Sequence, residues 1–317
     1  MLNGQIGFPR LSAIYKMSPQ VLLVFVLIIM GIIFSFVAPG FFDWGNTVSV
    51  LRQASSLFML CSGQTLALLL GGFDVSQGSL VSFVSVMTAF AVVRYGTVMG
   101  TLIGILIGGG YGLIVGSLIA KARVLPSFII TLGFFFIIEG ITFIITTRPV
   151  SGLPPSFSYI GEGMIGPIPM PVILFAGFAL LFHLLLRQTQ LGRNIYAIGG
   201  NEEAARLAGI RIGWTKILAW VLNGFLVAIG GIILTSRVNS GEPILGGGLM
   251  LESVGAAVIG GTSVFGGKGG AVQAVLGVLF ISFLVNGLNL MGISAFVKDA
   301  LTGAFIILAI WLGFRGQ

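Results

Sequence analysis

A chain made of one long apolar run after another can fold only where lipid replaces water. Runs close to the length of a bilayer crossing, about 20 residues, recur at residues 20–38, 54–71, 78–93, 97–120, 125–146, 170–186, 217–235, 251–264, 271–290 and 295–314. The bilayer core offers no water to backbone N–H and C=O groups, so such runs become helices, whose hydrogen bonds are internal. The expectation is an all-α, polytopic membrane protein of about ten spans, forming one transmembrane domain over residues 1–317. The second, third and eighth runs are short, as tilted, broken or re-entrant segments are. The first run follows Arg10 and Lys16 and continues into Phe36-Val-Ala-Pro-Gly40 without a small-residue cleavage site. It reads as an uncleaved span, not a removed signal.

Charge supports this reading. Charged residues make up 8% of the chain and apolar ones 56%, whereas a soluble domain is about 25% charged. That excludes a cytosolic globular enzyme, a disordered chain and a nucleic-acid binder. The net charge of +7 instead records topology, because Lys and Arg gather in cytoplasmic loops. With the N-terminus inside, Arg10, Lys16, Lys121, Arg123, Arg187, Arg193, Arg206, Arg211, Lys216, Lys268 and Arg315 lie inside, against Arg52, Arg94, Arg148, Arg237 and Lys298 outside. Both termini are then cytoplasmic. The single Cys61 excludes an internal disulfide, and 49 glycines suit helices that approach closely in lipid.

Two loops are long. The outer one, about 147–169, is rich in Pro and Gly; the inner one, about 187–216, holds five basic residues and two Glu. Within the inner loop Asn201 is a good N-cap. Glu202 and Glu203 suit the positive end of a helix dipole, Ala204 and Ala205 favour helix, and Gly209 is a C-terminal stop. Such a short helix is unstable alone. Either the inner ends of the protein hold it as a connecting turn, or a partner does.

These residues carry a resemblance. Glu203-Ala-Ala-Arg-Leu-Ala-Gly209 fits the E-A-A-x-x-x-G pattern in the inner loop of ATP-binding cassette import permeases, without the Pro expected downstream. The wider string Gly192-Arg-Asn-Ile-Tyr-Ala-Ile-Gly-Gly-Asn-Glu-Glu-Ala-Ala-Arg-Leu-Ala-Gly-Ile210 resembles the permeases of ribose, xylose and arabinose importers. Gly71-Gly-Phe-Asp-Val-Ser-Gln-Gly-Ser79 is similar to that family's G-G-I-D-L-S-x-G-S. So are Pro126-Ser-Phe-Ile-Ile-Thr-Leu-Gly133, Ala256-Ala-Val-Ile-Gly-Gly-Thr-Ser-Val-Phe-Gly-Gly-Lys-Gly269 and Asn286-Gly-Leu-Asn-Leu290. The resemblance covers about residues 40–315. It implies a cobalamin-importer-like fold and the permease subunit of a binding-protein-dependent importer of a small sugar such as a pentose, in the bacterial inner membrane. It also implies a cytoplasmic ATPase on the loop that carries Gly192, Arg193, Asn201, Glu202, Glu203, Ala204, Ala205 and Gly209. A sugar-binding protein docks outside, and a second permease subunit, identical or homologous, completes the channel. ATP and magnesium belong to the ATPase, and this chain needs no cofactor of its own. A nucleoside, autoinducer or inositol importer fits the same family, and an ion-coupled secondary transporter is the rival outside it.

Other polar residues are weighed on their chemistry. Residues 71–79 can form a broken-helix polar site in the path or a tight hairpin at the inner surface capped by Asp74 and Ser76; the charge topology favours the hairpin. Lys268 in the Gly-rich stretch 260–270 invites a phosphate-loop reading, but Gly269 stands where Ser or Thr is needed. Intramembrane polar groups are costly and mark function or helix contacts. Gln64, Asp74, Ser76, Glu139, Asn223, Asn286 and Asn289 are the substrate-path candidates. Asn286 and Asn289 share one helix face and come first as pore lining. Glu242 and Glu252, flanking Gly246–Gly248 outside, are candidates for docking the binding protein. The lone His183 has no companions for a metal site, and no catalytic constellation is visible.

Overall fold

The computed structural model describes residues 19–122, 125–294, 296–298, 300–304 and 307. The tenth run lies largely outside these residues, as do Arg10, Lys16, Arg123 and Arg315. The described chain is helical: α1 (Pro19–Val37), α2 (Trp44–Leu69), α3 (Gln77–Tyr95), α4 (Thr97–Lys121), α5 (Ser127–Ile145) and α6 (Pro155–Glu162) come first. A two-residue hairpin, β1 (Met164–Ile165) with β2 (Ile168–Pro169), precedes α7 (Met170–Gln188). Then follow α8 (Gln190–Gly200), α9 (Glu202–Leu207), α10 (Ile212–Val238), α11 (Leu249–Ile259) and α12 (Ala271–Leu290). Among the described residues seven helices are long and apolar enough to cross a membrane: α1, α3, α4, α5, α7, α10 and α12. The protein is a polytopic all-α membrane protein.

The centre of the fold is α10, which packs on α2, α3 and α4. Its contact with α4 rests on glycine. Gly100, Gly104, Gly108, Gly112 and Gly116 recur every fourth residue and are buried, so α4 offers one smooth face. A Cβ on Gly108 would stand 2.3 Å from the Gly224 carbonyl of α10, and one on Gly112 2.2 Å from that of Trp220. No larger residue fits there.

Of the three short runs, the second departs from the sequence expectation, while the third and eighth follow the re-entrant option it offers. The second is longer: α2 spans 26 residues and begins ten before the apolar run. Its outer turns hold Asn46 and Arg52, and Arg52 pairs with Glu162 of α6, so the helix continues where hydropathy fails. The eighth is shorter. At 11 residues, α11 is about 16 Å long, roughly half a bilayer core. The third, α3, starts deep inside the protein. Between α2 and α3 the chain turns back inward over 70–76, and between α10 and α11 residues 239–248 do so from the other end. The two re-entrant segments meet: a Cβ on Gly246 would lie 1.8 Å from the Gly78 carbonyl, and Gly246 N donates to Ser82 Oγ. The charge topology favours a hairpin at the inner surface for residues 71–79; the structure buries 74–79 instead, with Gly78 against Gly246.

The outer loop is more ordered than its Pro and Gly content suggests. Pro155 starts α6 at a position where a missing N–H costs nothing. Gly161 N donates to Ser236 Oγ at 2.7 Å, and Ser236 Oγ donates to the Phe157 carbonyl at 2.5 Å. These bonds fasten α6 to the outer end of α10.

Candidate functional site

Two places carry the polar chemistry: a buried cluster where the re-entrant segments meet, and the inner loop. Asp74 is the centre of the first and is 0% exposed. Its Oδ1 accepts from Ser76 N at 3.0 Å, Ser76 Oγ at 2.6 Å and Tyr111 OH at 3.0 Å; its Oδ2 accepts from Asn223 Nδ2 at 2.6 Å. The network continues. Gln77 Nε2 donates to Asn223 Oδ1 at 3.0 Å and to the Leu60 carbonyl at 3.3 Å. Ser253 Oγ of α11 donates to Gln77 Oε1 at 2.8 Å. Phe73 N and Val75 N donate to Ser127 and Thr131 of α5. The carboxylate thus ties the start of α3 to α4 and α10, and the network around it adds α2, α5 and α11.

The physics of Asp74 explains the cluster. A carboxylate out of water is expensive unless it is hydrogen-bonded, and donors aimed at it offset that cost. Among the described residues no cation pairs with it; neutral donors do the work. Ser76 is the residue before α3, yet its side chain makes no cap bond. Asp74 and Ser76 hold the turn and the neighbouring helices instead of capping the helix. Gly63 of α2 makes room for Asn223, whose Oδ1 would lie 2.4 Å from a Cβ at that position.

The inner loop is two helices rather than one. Thr189 caps α8, its Oγ1 accepting from Gly192 N at 3.1 Å, a signal the sequence held in Thr189-Gln-Leu-Gly192. Arg193 closes on Gln190 Oε1 at 2.8 Å. Asn201 then caps α9, its Oδ1 accepting from Ala204 N at 2.9 Å. The helix ends at Gly209, whose φ of 81° is in the region glycine enters without strain. Glu202 bonds Lys216 at 2.7 Å and Arg206 at 3.3 Å; Glu203 lies 3.8 Å from Arg206. Ala205 is buried, whereas Leu207 is 84% exposed.

The two places are joined by close backbone contact. A Cβ on Gly199 of α8 would stand 1.7 Å from the Leu69 carbonyl at the inner end of α2 and 2.6 Å from Gly267 N. Gly267 N donates to that same carbonyl at 3.0 Å. Tyr196 OH donates to the Gly269 carbonyl at 2.7 Å. Burial raises the Tyr196 phenol above its ordinary range, with the Arg187 charge opposing, so it keeps its proton at neutral pH. The stretch 260–270 is a brace between the loop and α2. From Leu69 only residues 70–73 separate this junction from Asp74.

Of the other candidates, Asn286 is joined to Asn46 of α2 by reciprocal amide bonds of 2.8 and 2.9 Å; it fastens α12 to α2. Asn289 is exposed and bonds Lys298. Glu139 is half-buried on α5, apart from the cluster. Gln64 is buried on α2. Glu242 lies on the segment between α10 and α11, where it accepts from Ser240 Oγ at 2.6 Å and the bridge Val150↔Gly241 holds its backbone. Glu252 is carried inward by the re-entrant path and stands beside Ser253 in the first turn of α11. Among the described residues no group of His, Cys, Asp and Glu could hold a metal ion. Tyr111, Ser253, Tyr196 and Gly199 were not singled out from sequence, and Gln77 stood out only as a departure from the family's motif. Tyr111 carried a signal, being the one Tyr inside any of the ten runs.

Comparison with known proteins agrees with this architecture. Residues 46–310 match the profile of the branched-chain amino acid transport system / permease component family. The chain is 35% identical over 301 residues to the ribose import permease protein RbsC of Escherichia coli K12, covering 93% of each. It is 37% identical over 290 residues to the ribose import permease protein RbsC of Bacillus subtilis 168, covering 90% of each. It is 33% identical over 293 residues to the D-allose transport system permease protein AlsC of Escherichia coli K12, covering 91% of this chain and 89% of that one. No solved structure matches. The chain belongs to the branched-chain amino acid transport system / permease component family.

Proposed function

We propose that this chain is the membrane permease of an ATP-driven, binding-protein-dependent importer of a small neutral sugar, with ribose or a related aldose as solute. The relatives at 33–37% identity are named for ribose and D-allose, which favours an aldose over the nucleoside, autoinducer and inositol alternatives. The whole chain acts as one transmembrane unit. It sits in the bacterial inner membrane with both termini cytoplasmic, and two such subunits form the channel. A separate ATPase holds ATP and magnesium, and a sugar-binding protein delivers solute from outside, with Glu242 at its docking rim.

The single observation that carries this reading is the seating of Gly199 against Leu69 and Gly267. A short helix pair that merely linked two spans would not need backbone contact with two other motifs. Here α8 and α9 form a lever. Their outer surface offers Leu207, Glu203 and Arg193 to an ATPase groove. Their inner surface bears on α2 and the 260–270 brace, four residues from the Asp74 cluster. Movement of the loop on ATP binding is passed to the re-entrant segments, whose meeting at Gly78 and Gly246 closes the middle of the membrane. Asp74 is saturated by neutral donors, which counts against the ion-coupled rival, since a buried acid that carries a proton or sodium must exchange partners.

The test is uptake into proteoliposomes containing this chain, with and without the ATPase and binding protein of its own system. Sugar uptake should require ATP and both partners. Glu203→Arg should weaken ATPase association and abolish uptake, with the melting temperature of the isolated permease unchanged. Uptake by the chain alone on an ion gradient would replace this reading with the secondary transporter.

A further inference from the structure

Gln64 stands on α2 one turn past Leu60, whose carbonyl accepts from Gln77 of the Asp74 cluster at 3.3 Å. It stands three residues past Cys61, whose thiol lies 4.0 Å from the Ala274 carbonyl of α12. Its neighbour Gly63 packs on Asn223. Side chains three and four apart share a helix face, so Gln64 lies between the cluster and α12, on the side where α11 packs against both α2 and α12. It is 0% exposed, yet neither Oε1 nor Nε2 has a partner among the described residues.

Such an amide is an anomaly. A buried donor or acceptor left unpaired costs more than an apolar group of the same shape, and native proteins pair almost all of theirs. The other buried amides nearby follow that rule: Asn223, Gln77 and Asn286 are all bonded. A leucine at position 64 would avoid the cost. Local rules are broken where function needs it.

We infer that Gln64 is a solute-binding residue, its amide left unpaired at rest so that it can bond the hydroxyls of a neutral polyol crossing between the cluster and α12. An amide donates from nitrogen and accepts at oxygen, the pair of roles that neighbouring hydroxyls on a sugar match. The Asp74 carboxylate is already engaged by Ser76, Tyr111 and Asn223. Solute selectivity at this point is for hydroxyl over charge. This inference rests on the importer reading above.

Its test is Gln64→Leu in the full complex with ATPase and binding protein in proteoliposomes, with ribose and D-allose as probes. Uptake should fall about three- to tenfold, the worth of one hydrogen bond to a neutral ligand. ATP hydrolysis should persist, and the melting temperature of the permease should hold or rise. A fall in melting temperature alongside uptake shows that the amide is a structural group already satisfied at rest, and overturns the inference. Unchanged uptake overturns it as well. Gln64→Met, of similar length, guards against a packing defect; failure of both variants to assemble also makes the amide structural. A wild-type complex that takes up neither sugar under ATP breaks the importer reading itself, whereas wild-type uptake with an indifferent Gln64→Leu breaks only the inference.

Discussion

The Asp74 cluster and the α9 loop are both built from short polar strings between apolar runs, and they use their polar atoms in opposite ways. In the cluster every polar atom of Asp74, Asn223 and Gln77 that could meet water is turned inward and bonded within the chain. On α9 the charges pair loosely at the surface, and the one large apolar side chain, Leu207, faces out at 84% exposure. A region that satisfies itself holds the fold. A region that leaves an apolar residue in solvent, beside charges that are only partly paired, is finished by something else. Substitutions should therefore separate the two: stability should be lost in the cluster, and partner affinity on the loop.

The largest effect is expected at Asp74. Asp74→Ala leaves Ser76 N, Asn223 Nδ2 and one of the two mutually bonded hydroxyls of Ser76 and Tyr111 with donors aimed at nothing, in a place water does not reach. Hydrogen bonds to a charged group contribute about 1.5–3 kcal/mol each, and orphaned partners add their own desolvation cost. The substitution should destabilise the permease by about 3 kcal/mol or more, enough to lower its folded yield several-fold. A melting curve of the purified protein in nanodiscs measures this. A melting temperature equal to wild type would mean that the cluster does not hold the helices, and the contrast with the loop would collapse.

An intermediate effect is expected where the two regions meet. Gly199→Ala puts a methyl 1.7 Å from the Leu69 carbonyl, so α8 must lift from α2. The strain falls at the edge of the fold, where relaxation is cheap, and the stability cost should be about 1 kcal/mol. Function should suffer far more. If the junction transmits the stroke, the ATPase still binds and hydrolyses ATP while sugar uptake is lost. Coupled loss of binding and hydrolysis would instead make Gly199 part of the docking surface.

How much of this was legible beforehand follows from what hydropathy and local signals can see. The positions of α1, α4, α5, α7 and α12 were written in apolar runs, and the Asn201 cap and Gly209 stop were visible because capping is local. The outer turns of α2 were hidden because Arg52 is tolerated only through Glu162, more than a hundred residues away. The helix α8, capped by Thr189, was hidden because it lacks the acidic residues that mark α9. Asp74 looked like a hairpin cap, since a sequence shows that a carboxylate follows glycines but not that Tyr111 and Asn223 fold over it. Asn286, first choice as pore lining, is bound to Asn46 for the same reason: the partner of a buried amide is a tertiary fact.

The smallest effect on stability, and the sharpest test of the contrast, is expected at Leu207. The side chain touches little of its own protein, so Leu207→Ser should leave the stability of the permease within about 0.5 kcal/mol of wild type, as surface changes usually do. If the leucine instead fills a pocket on the ATPase, it is an apolar anchor surrounded by the charges of Glu203 and Arg206, and anchors of that kind dominate binding energy. Affinity for the ATPase should then fall about tenfold or more, a difference of about 1.4 kcal/mol, readable by titrating the ATPase onto the permease in nanodiscs. A variant that keeps both stability and affinity would make Leu207 an idle surface residue and assign docking to Glu203 and Arg193 alone. A variant that loses stability would show that α9 is held by its own fold, and that the loop and the cluster are more alike than their exposure suggests.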